Sequence, residues 1–241
     1  MMVNAMENLK KDKRKKDSFR HELKYYISFA DYLLLSKKLS ATMLPDENAN
    51  EYGEYRIRSL YFDDMANSAL SEKLFGVGSR DKIRIRIYNG SDKLIKLERK
   101  HKEGGLICKK SISLTKGEYE RLLSGKYGFL LARDEPFARE MFATFSTLRL
   151  RPVVIVDYTR EAYTFPMQDV RITFDKDVRT AYHSADIFDR NLITYPAIDG
   201  NDIVLEIKYN RYLPKYVQTL IQSTTTRSAV SKYVISRKYE L

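Results

Sequence analysis

A two-residue alternation of charged and apolar side chains runs through most of this chain, and few folds accommodate it. In Ile83-Arg84-Ile85-Arg86-Ile87 an extended backbone puts the isoleucines on one face and the arginines on the other. Ile95 and Leu97 lie opposite Lys96, Glu98 and Lys100, and Ile203, Leu205 and Ile207 lie opposite Glu206 and Lys208. Phe19 and Leu23 oppose Arg20, Glu22 and Lys24. Arg56 and Arg58 flank Ile57, and Arg171, Thr173 and Asp175 oppose Ile172 and Phe174. This is the period of strands, not helices.

Eight segments read as strands: Phe19–Ser28, Gly53–Asp63, Asp81–Tyr88, Lys93–Glu103, Leu106–Leu114, Arg151–Tyr163, Val170–Asp177 and Asp202–Tyr209. The fourth and fifth meet through Gly104-Gly105, a sequence suited to a hairpin turn. Four helices are expected, three between strands and one after the last strand. Ser28 to Asp31 reads as a capping box for a helix reaching about Met43 and stopped near Pro45. Thr115 to Glu118 repeats that logic, with Gly125 closing the helix. Pro136 suits the first turn of a helix reaching Thr147, and Pro214 opens another reaching Gln222. Many strands, few helices and no regular βα alternation predict an antiparallel α+β fold.

The sign of the charge adds a constraint. A half-exposed sheet shows polar residues to water, usually with mixed signs. Here the charged face is mainly basic, and like charges about 5 Å apart repel by roughly 3 kcal/mol at an effective dielectric near 20. Glu22, Glu98, Glu206 and Asp175 offset only part of that repulsion. An eight-stranded closed β-barrel, with cations facing a lumen that holds an anion and helices packed on the outside, resolves the conflict. The excess of 43 Lys and Arg over 32 Asp and Glu, a formal charge of +11, favours the same class of partner.

Residues 18–241 read as a single domain, and 1–17 as a disordered basic arm. The arm is either a solvated tail or a surface-binding segment; a peripheral membrane location is the second alternative. One cysteine and three histidines exclude a disulfide framework and disfavour structural zinc, so a cytoplasmic setting is expected. No apolar run is long enough to span a bilayer. Neither a Gly-x-x-x-x-Gly-Lys loop nor a Gly-x-Ser-x-Gly elbow is present. The 18 tyrosines read as core or rim residues rather than base-stacking platforms, so nucleic acid is not the expected partner.

Five segments in order carry a family resemblance: Arg20-His21-Glu22-Leu23-Lys24-Tyr25, Ile83 to Tyr88, Leu97-Glu98-Arg99-Lys100, Val204-Leu205-Glu206-Ile207-Lys208 and Ser231-Lys232-Tyr233. Over about residues 18–235 the chain resembles the VTC domain, the polyphosphate polymerase branch of the triphosphate tunnel (CYTH-like) superfamily. The resemblance implies transfer of the γ-phosphate of ATP to a growing inorganic polyphosphate chain. The metal would be manganese or magnesium, and a membrane protein is a conceivable partner. Phosphate contacts would fall on Lys24, Arg84, Arg86, Lys100, Arg160 and Lys208, and on one or both of Lys109 and Lys110. Tyr158 matches a Tyr-x-Arg pattern, and Ser231 with Lys232 match a C-terminal element closing on the phosphates. Glu206 matches the metal-binding glutamate, joined by Glu22 or Glu98, and alternation adds Arg56 and Arg58 as substrate-binding candidates. Hydrolytic members of the superfamily open with Glu-x-Glu-x-Lys; here Arg20 replaces the first carboxylate, which favours the polymerase branch. Glu22 keeps a triphosphatase as an alternative, and a non-enzymatic polyphosphate or nucleic-acid binder is the other.

Overall fold

A computed structural model describes residues 19–165, 169–182, 184–198, 200, 202–222, 226–227 and 230–238. The basic arm and His183 lie outside the described residues. Eight long strands form one antiparallel sheet: β1 (His21–Ile27), β2 (Glu54–Asp63), β3 (Arg80–Tyr88), β4 (Ser91–Glu103), β5 (Leu106–Leu114), β6 (Arg151–Phe165), β7 (Val170–Ala181) and β8 (Ile203–Tyr209). Their spatial order is β1-β8-β7-β6-β2-β3-β4-β5. All eight expected strands are present, and the Gly104-Gly105 turn joins β4 to β5 with both glycines at positive φ. Positive φ at both central residues is the twist a two-residue hairpin needs.

The sheet curls strongly but does not close. Its edge strands, β1 and β5, meet at one bridge, where Arg20 and Ile107 exchange two backbone hydrogen bonds of 3.0 Å. Further along, Tyr25 and Tyr26 of β1 pair instead with the short segment Thr226–Arg227. The expected closed barrel is thus corrected to an open, curled half-barrel. β1 is only seven residues long, and part of its free edge is already taken by the C-terminal segment. Too little edge remains for a continuous closing ladder.

Helices cover the outer face. α1 (Phe29–Ser40) starts at Ser28, whose hydroxyl accepts the Asp31 N–H at 3.1 Å. It packs Leu35 and Leu39 with Ile172, Phe174 and Leu205. A second short helix, α2 (Ser68–Leu74), follows β2. α3 (Lys116–Leu123) carries the full capping box of Thr115 and Glu118, and Gly125 behind it sits at φ +74. α4 (Pro136–Leu148) buries Met141 and Phe145 against Leu60, Ile83, Ile85 and Leu97. α5 (Lys215–Gln222) adds Val217 to the cluster under α1. Each such side chain contributes about 1.5–3 kcal/mol when fully buried, which is why the apolar strand faces point outward under helices.

A third apolar cluster lies inside the curl, around Tyr61, Val156, Tyr158, Val204, Val230 and Tyr233. It belongs to the C-terminal segment with α6 (Lys232–Ile235), which is drawn into one end of the sheet. Thr180 donates to the Ser236 carbonyl at 3.1 Å, and Arg237 reaches Asp63 and Tyr233. The alternation does not predict α2 or α6. Both are short, and tertiary anchors hold them: the buried Asp63 carboxylate accepts the N–H groups of Ala69 and Leu70 in α2. Among the described residues no helix is long and apolar enough to cross a membrane.

Candidate functional site

The concave face of the sheet encloses a cavity of about 840 Å³ lined by fourteen lysines and arginines against three carboxylates. It extends along the whole of β3, from Arg80 to Tyr88, roughly 25 Å at the rise of an extended strand. Side chains two apart on β3 (Arg80, Lys82, Arg84, Arg86) all face it.

On the lumen face β1 and β8 lie side by side, with Lys24 opposite Glu206 and Glu22 opposite Lys208. Lys24 is 3.0 Å from Glu22 and 3.6 Å from Glu206. Lys208 is 2.6 Å from Glu206, and Lys100 reaches across from β4 to Glu22 at 2.7 Å. Burial and the neighbouring Glu206 oppose ionisation of Glu22, but Lys100, Lys24 and Lys208 prevail and hold its carboxyl at about 2. Burial works against Glu206 too, and Lys208, Lys24, Lys100 and Lys232 hold it well below the ordinary range. In the other direction, burial pushes Lys208 below the usual lysine range against the pull of Glu206.

A second group centres on Tyr158. Its hydroxyl accepts from Arg86 at 3.2 Å and from Arg160 at 3.4 Å, and Lys232 lies 5.0 Å above its ring. Asp175 grips Arg160 through two hydrogen bonds of 2.6 and 2.9 Å and also pairs with Lys232. Such two-point contacts fix a guanidinium plane and leave its remaining N–H groups aimed at the lumen. Glu98 does the same for Arg84 at 2.8 Å, and Tyr61 accepts from that arginine at 3.0 Å. Burial disfavours the Glu98 anion, yet Arg84, Arg86 and Lys109 hold its carboxyl well below the ordinary range.

The lumen therefore brings together Lys24, Arg84, Arg86, Lys100, Arg160, Lys208, Tyr158, Ser231, Lys232, Glu22 and Glu206. Of the pair that parity left open, Lys109 faces the cavity, while Lys110 points outward to Glu140 of α4. Arg56 and Arg58 are not in the lumen. Both lie on the outer face of β2, where Asp157 of β6 accepts from each at 2.8 Å. Arg58 also donates to the carbonyls of Ile187 at 3.0 Å and Asp189 at 2.6 Å. Its role is to fasten a loop. Arg58→Met is expected to cost about 3 kcal/mol by breaking a buried ion pair, measured by denaturant unfolding, without loss of any anion binding in the lumen. Lost binding at unchanged stability would instead put Arg58 in the site.

Among the described residues no three His, Cys, Asp or Glu gather into a ready-made metal site. Glu22 and Glu206 nevertheless form an ionised pair around Lys24, and the Thr173 hydroxyl, opposite Glu206 in the register, is buried without a partner. Two carboxylates suit magnesium or manganese, which keep waters and are bound largely through substrate phosphates. Glu98 stands apart, committed to Arg84 and Lys109.

Residues that the alternation could have supplied include Lys82 and Arg80, which share the parity of Arg84 on β3, and Tyr61, which faces the lumen from β2. Lys73 could not be foreseen, because it stands on the unanticipated α2. His21 stacks on Tyr209, and His101 pairs with Asp81 and Glu103 at an exposed edge. Neither lines the cavity.

A family model of the VTC domain matches residues 19–240. Among solved structures, an adenylyl cyclase candidate from Hippeastrum with a dominant triphosphatase activity superposes with a TM-score of 0.56 at 18% identity, covering 92% of this chain and 97% of that one. An adenylate cyclase candidate from Bacillus halodurans gives a TM-score of 0.51 at 13% identity, covering 86% and 88%. No individual curated protein matches. Both neighbours share the curled, tunnel-like sheet.

Proposed function

This chain belongs to the VTC domain family, and we propose that it is an ATP-dependent polyphosphate polymerase working in the cation-lined lumen. The supporting observation is the lumen itself: a path roughly 25 Å long whose cations far outnumber its carboxylates. A linear phosphate chain, with negative charge on every unit, matches such a path better than a compact anion does.

Phosphoryl transfer requires alignment of the attacking and leaving oxygens and neutralisation of spread charge. Arg84, Arg86 and Arg160, each with part of its guanidinium already held by protein, are pre-oriented to grip the transferring phosphate. Lys24, Lys100, Lys208 and Lys232 supply charge to adjacent phosphates, and Ser231 a hydroxyl. A divalent metal held by Glu22 and Glu206 would draw charge from the phosphate oxygens. An acceptor that is already an ionised phosphate needs no general base, and no described histidine reaches the lumen.

Hydrolysis of tripolyphosphate or nucleoside triphosphate is the second reading. It is favoured by the ionised Glu22 and Glu206 pair and by the triphosphatase activity of the Hippeastrum neighbour. Incubation with ATP and manganese, followed by gel separation, distinguishes the two. A polyphosphate ladder is expected. Orthophosphate without a ladder would assign the protein to the triphosphatases, and no turnover would leave a polyphosphate-binding module.

A further inference from the structure

Outside the lumen, one corner of the molecule holds an apolar element that packing does not account for. Leu74-Phe75-Gly76-Val77-Gly78, the link from α2 to β3, is exposed at every position. Phe75 leaves 85% of its surface to water, Leu74 50% and Val77 42%. A single exposed phenylalanine is ordinary, but three apolar side chains on one ordered tip are not. The backbone of the tip is fixed from both sides. Gly76 at φ +72 stops the helix, and the Val77 N–H donates back to the Glu72 carbonyl at 2.9 Å, as in a Schellman motif. Arg80 donates to the Val77 carbonyl, and Asp63 holds the start of α2. The side chains are thus presented outward on a backbone that needs no further ordering to bind.

The start of the folded chain lies at the same corner. Arg20 pairs with Ile107, Ile107 with Lys102 and Lys102 with Arg80, a row of neighbours running from the start of β1 across β5 and β4 to β3. At the spacing of adjacent strands, Arg20 and Arg80 are at most roughly 15 Å apart. The Phe19 ring packs 6.4 Å from that of His101, which lies opposite Asp81 in the register. Shortly before Phe19, the sequence from Lys10 to Lys16 carries six cations and one carboxylate. The rim of the corner does not supply such an excess itself. Lys73 and Arg80 flank the tip, but Glu72 acts on Arg80, and Asp81 and Glu103 hold His101 at 2.8 and 3.3 Å.

We propose that this corner docks on an anionic lipid bilayer. Leu74, Phe75 and Val77 enter the boundary between headgroups and acyl chains, and the basic sequence before Phe19 supplies the attraction. Two weak signals at one place carry the argument. A small apolar insertion alone holds a membrane marginally and reversibly, and stable attachment takes that insertion together with a polybasic segment. A groove on another protein could take the apolar tip, but it would have no need of six cations alongside.

The test reads binding alone, so it stands or fails apart from the polymerase assignment. The chain has no tryptophan, so Phe75→Trp places a single indole at the tip. The full-length variant is titrated with vesicles of phosphatidylserine and phosphatidylcholine, and with vesicles of phosphatidylcholine alone. A blue shift of the emission, and quenching by lipids brominated along the acyl chain, are expected on the anionic vesicles only. In co-sedimentation, Phe75→Ser/Val77→Ser is expected to weaken binding by about tenfold or more, the effect of apolar surface left in water. These side chains are exposed, so the double variant should keep the Tm of the wild type. Deleting residues 1–17 is expected to weaken binding by about a hundredfold or more, at about fivefold for each cation lost near the surface. Binding that needs the arm but ignores Phe75 and Val77 would reduce the contact to charge alone, and binding that survives the deletion would remove the arm from it. Loss of self-association in the double variant, with vesicle binding retained, would assign the tip to a second copy of the chain. Any of these results, or no binding to either vesicle, overturns the proposal.

Discussion

Arg84→Lys is expected to lower turnover by about 10²–10³-fold, the usual effect of removing one pre-oriented donor to a developing charge, without unfolding the protein. The reasoning lies in what already holds the side chain. Glu98 occupies one edge of the guanidinium at 2.8 Å, and Tyr61 accepts from another nitrogen at 3.0 Å. The group is thereby oriented before any substrate arrives, and the remaining N–H groups face the lumen. Lysine preserves the charge and can still pair with Glu98. It cannot hold Glu98, Tyr61 and a phosphate in one plane, because its ammonium is a point donor on a flexible stem. Steady-state kinetics with ATP should therefore show the loss mainly in kcat, with a smaller change in KM. A variant that loses only affinity for ATP would mean that Arg84 binds ground state and transition state alike, and that the transferring phosphate sits nearer Arg160.

How much of this was legible beforehand depends on what alternation can report. It sorts side chains into two faces, and the sorting held on β3, β4, β1 and β8, where the apolar face packs under helices and the ionic face turns inward. It does not say which face is inside when both are covered. On β2 the lumen face is Tyr55, Ile57, Ser59 and Tyr61, and the arginines face outward. Arg58 is nearly as buried there as a lumen residue because the loop at Ile187–Asp189 covers it and Asp157 answers its charge. Charge alone therefore misassigned Arg56 and Arg58, and only their cross-strand partner reveals the error. Closure was beyond reach for a related reason. Whether β1 meets β5 depends on edge length and on where the C-terminal segment inserts, and neither has a period. Ser231 and Lys232 came from family resemblance, since no strand pattern covers them. Lys82 shares the parity of Arg84 and Arg86 and is equally legible from the alternation.

Glu206→Gln should produce two effects of opposite sign. Metal-dependent turnover is expected to fall by about 10³-fold or more, because the amide supplies no charge to a divalent ion that relies on one or two carboxylates. Tripolyphosphate binding in EDTA is expected to tighten. The carboxylate lies among Lys24, Lys208 and Lys232, and a phosphate drawn to those lysines meets its negative charge. At about 6 Å and an effective dielectric near 20 that repulsion is roughly 3 kcal/mol, so its removal should raise metal-free affinity at least tenfold. The empty protein pays for the change, since the lysines lose their counter-ion and stability should drop by about 3 kcal/mol. Bound tripolyphosphate would replace the missing charge and recover most of that loss as a ligand-dependent rise in Tm. The combination separates roles that a loss of activity alone would merge. If turnover survives, Glu206 does not hold the metal. If metal-free binding weakens along with turnover, its role is to array the lysines, and Glu22 becomes the principal candidate for the metal.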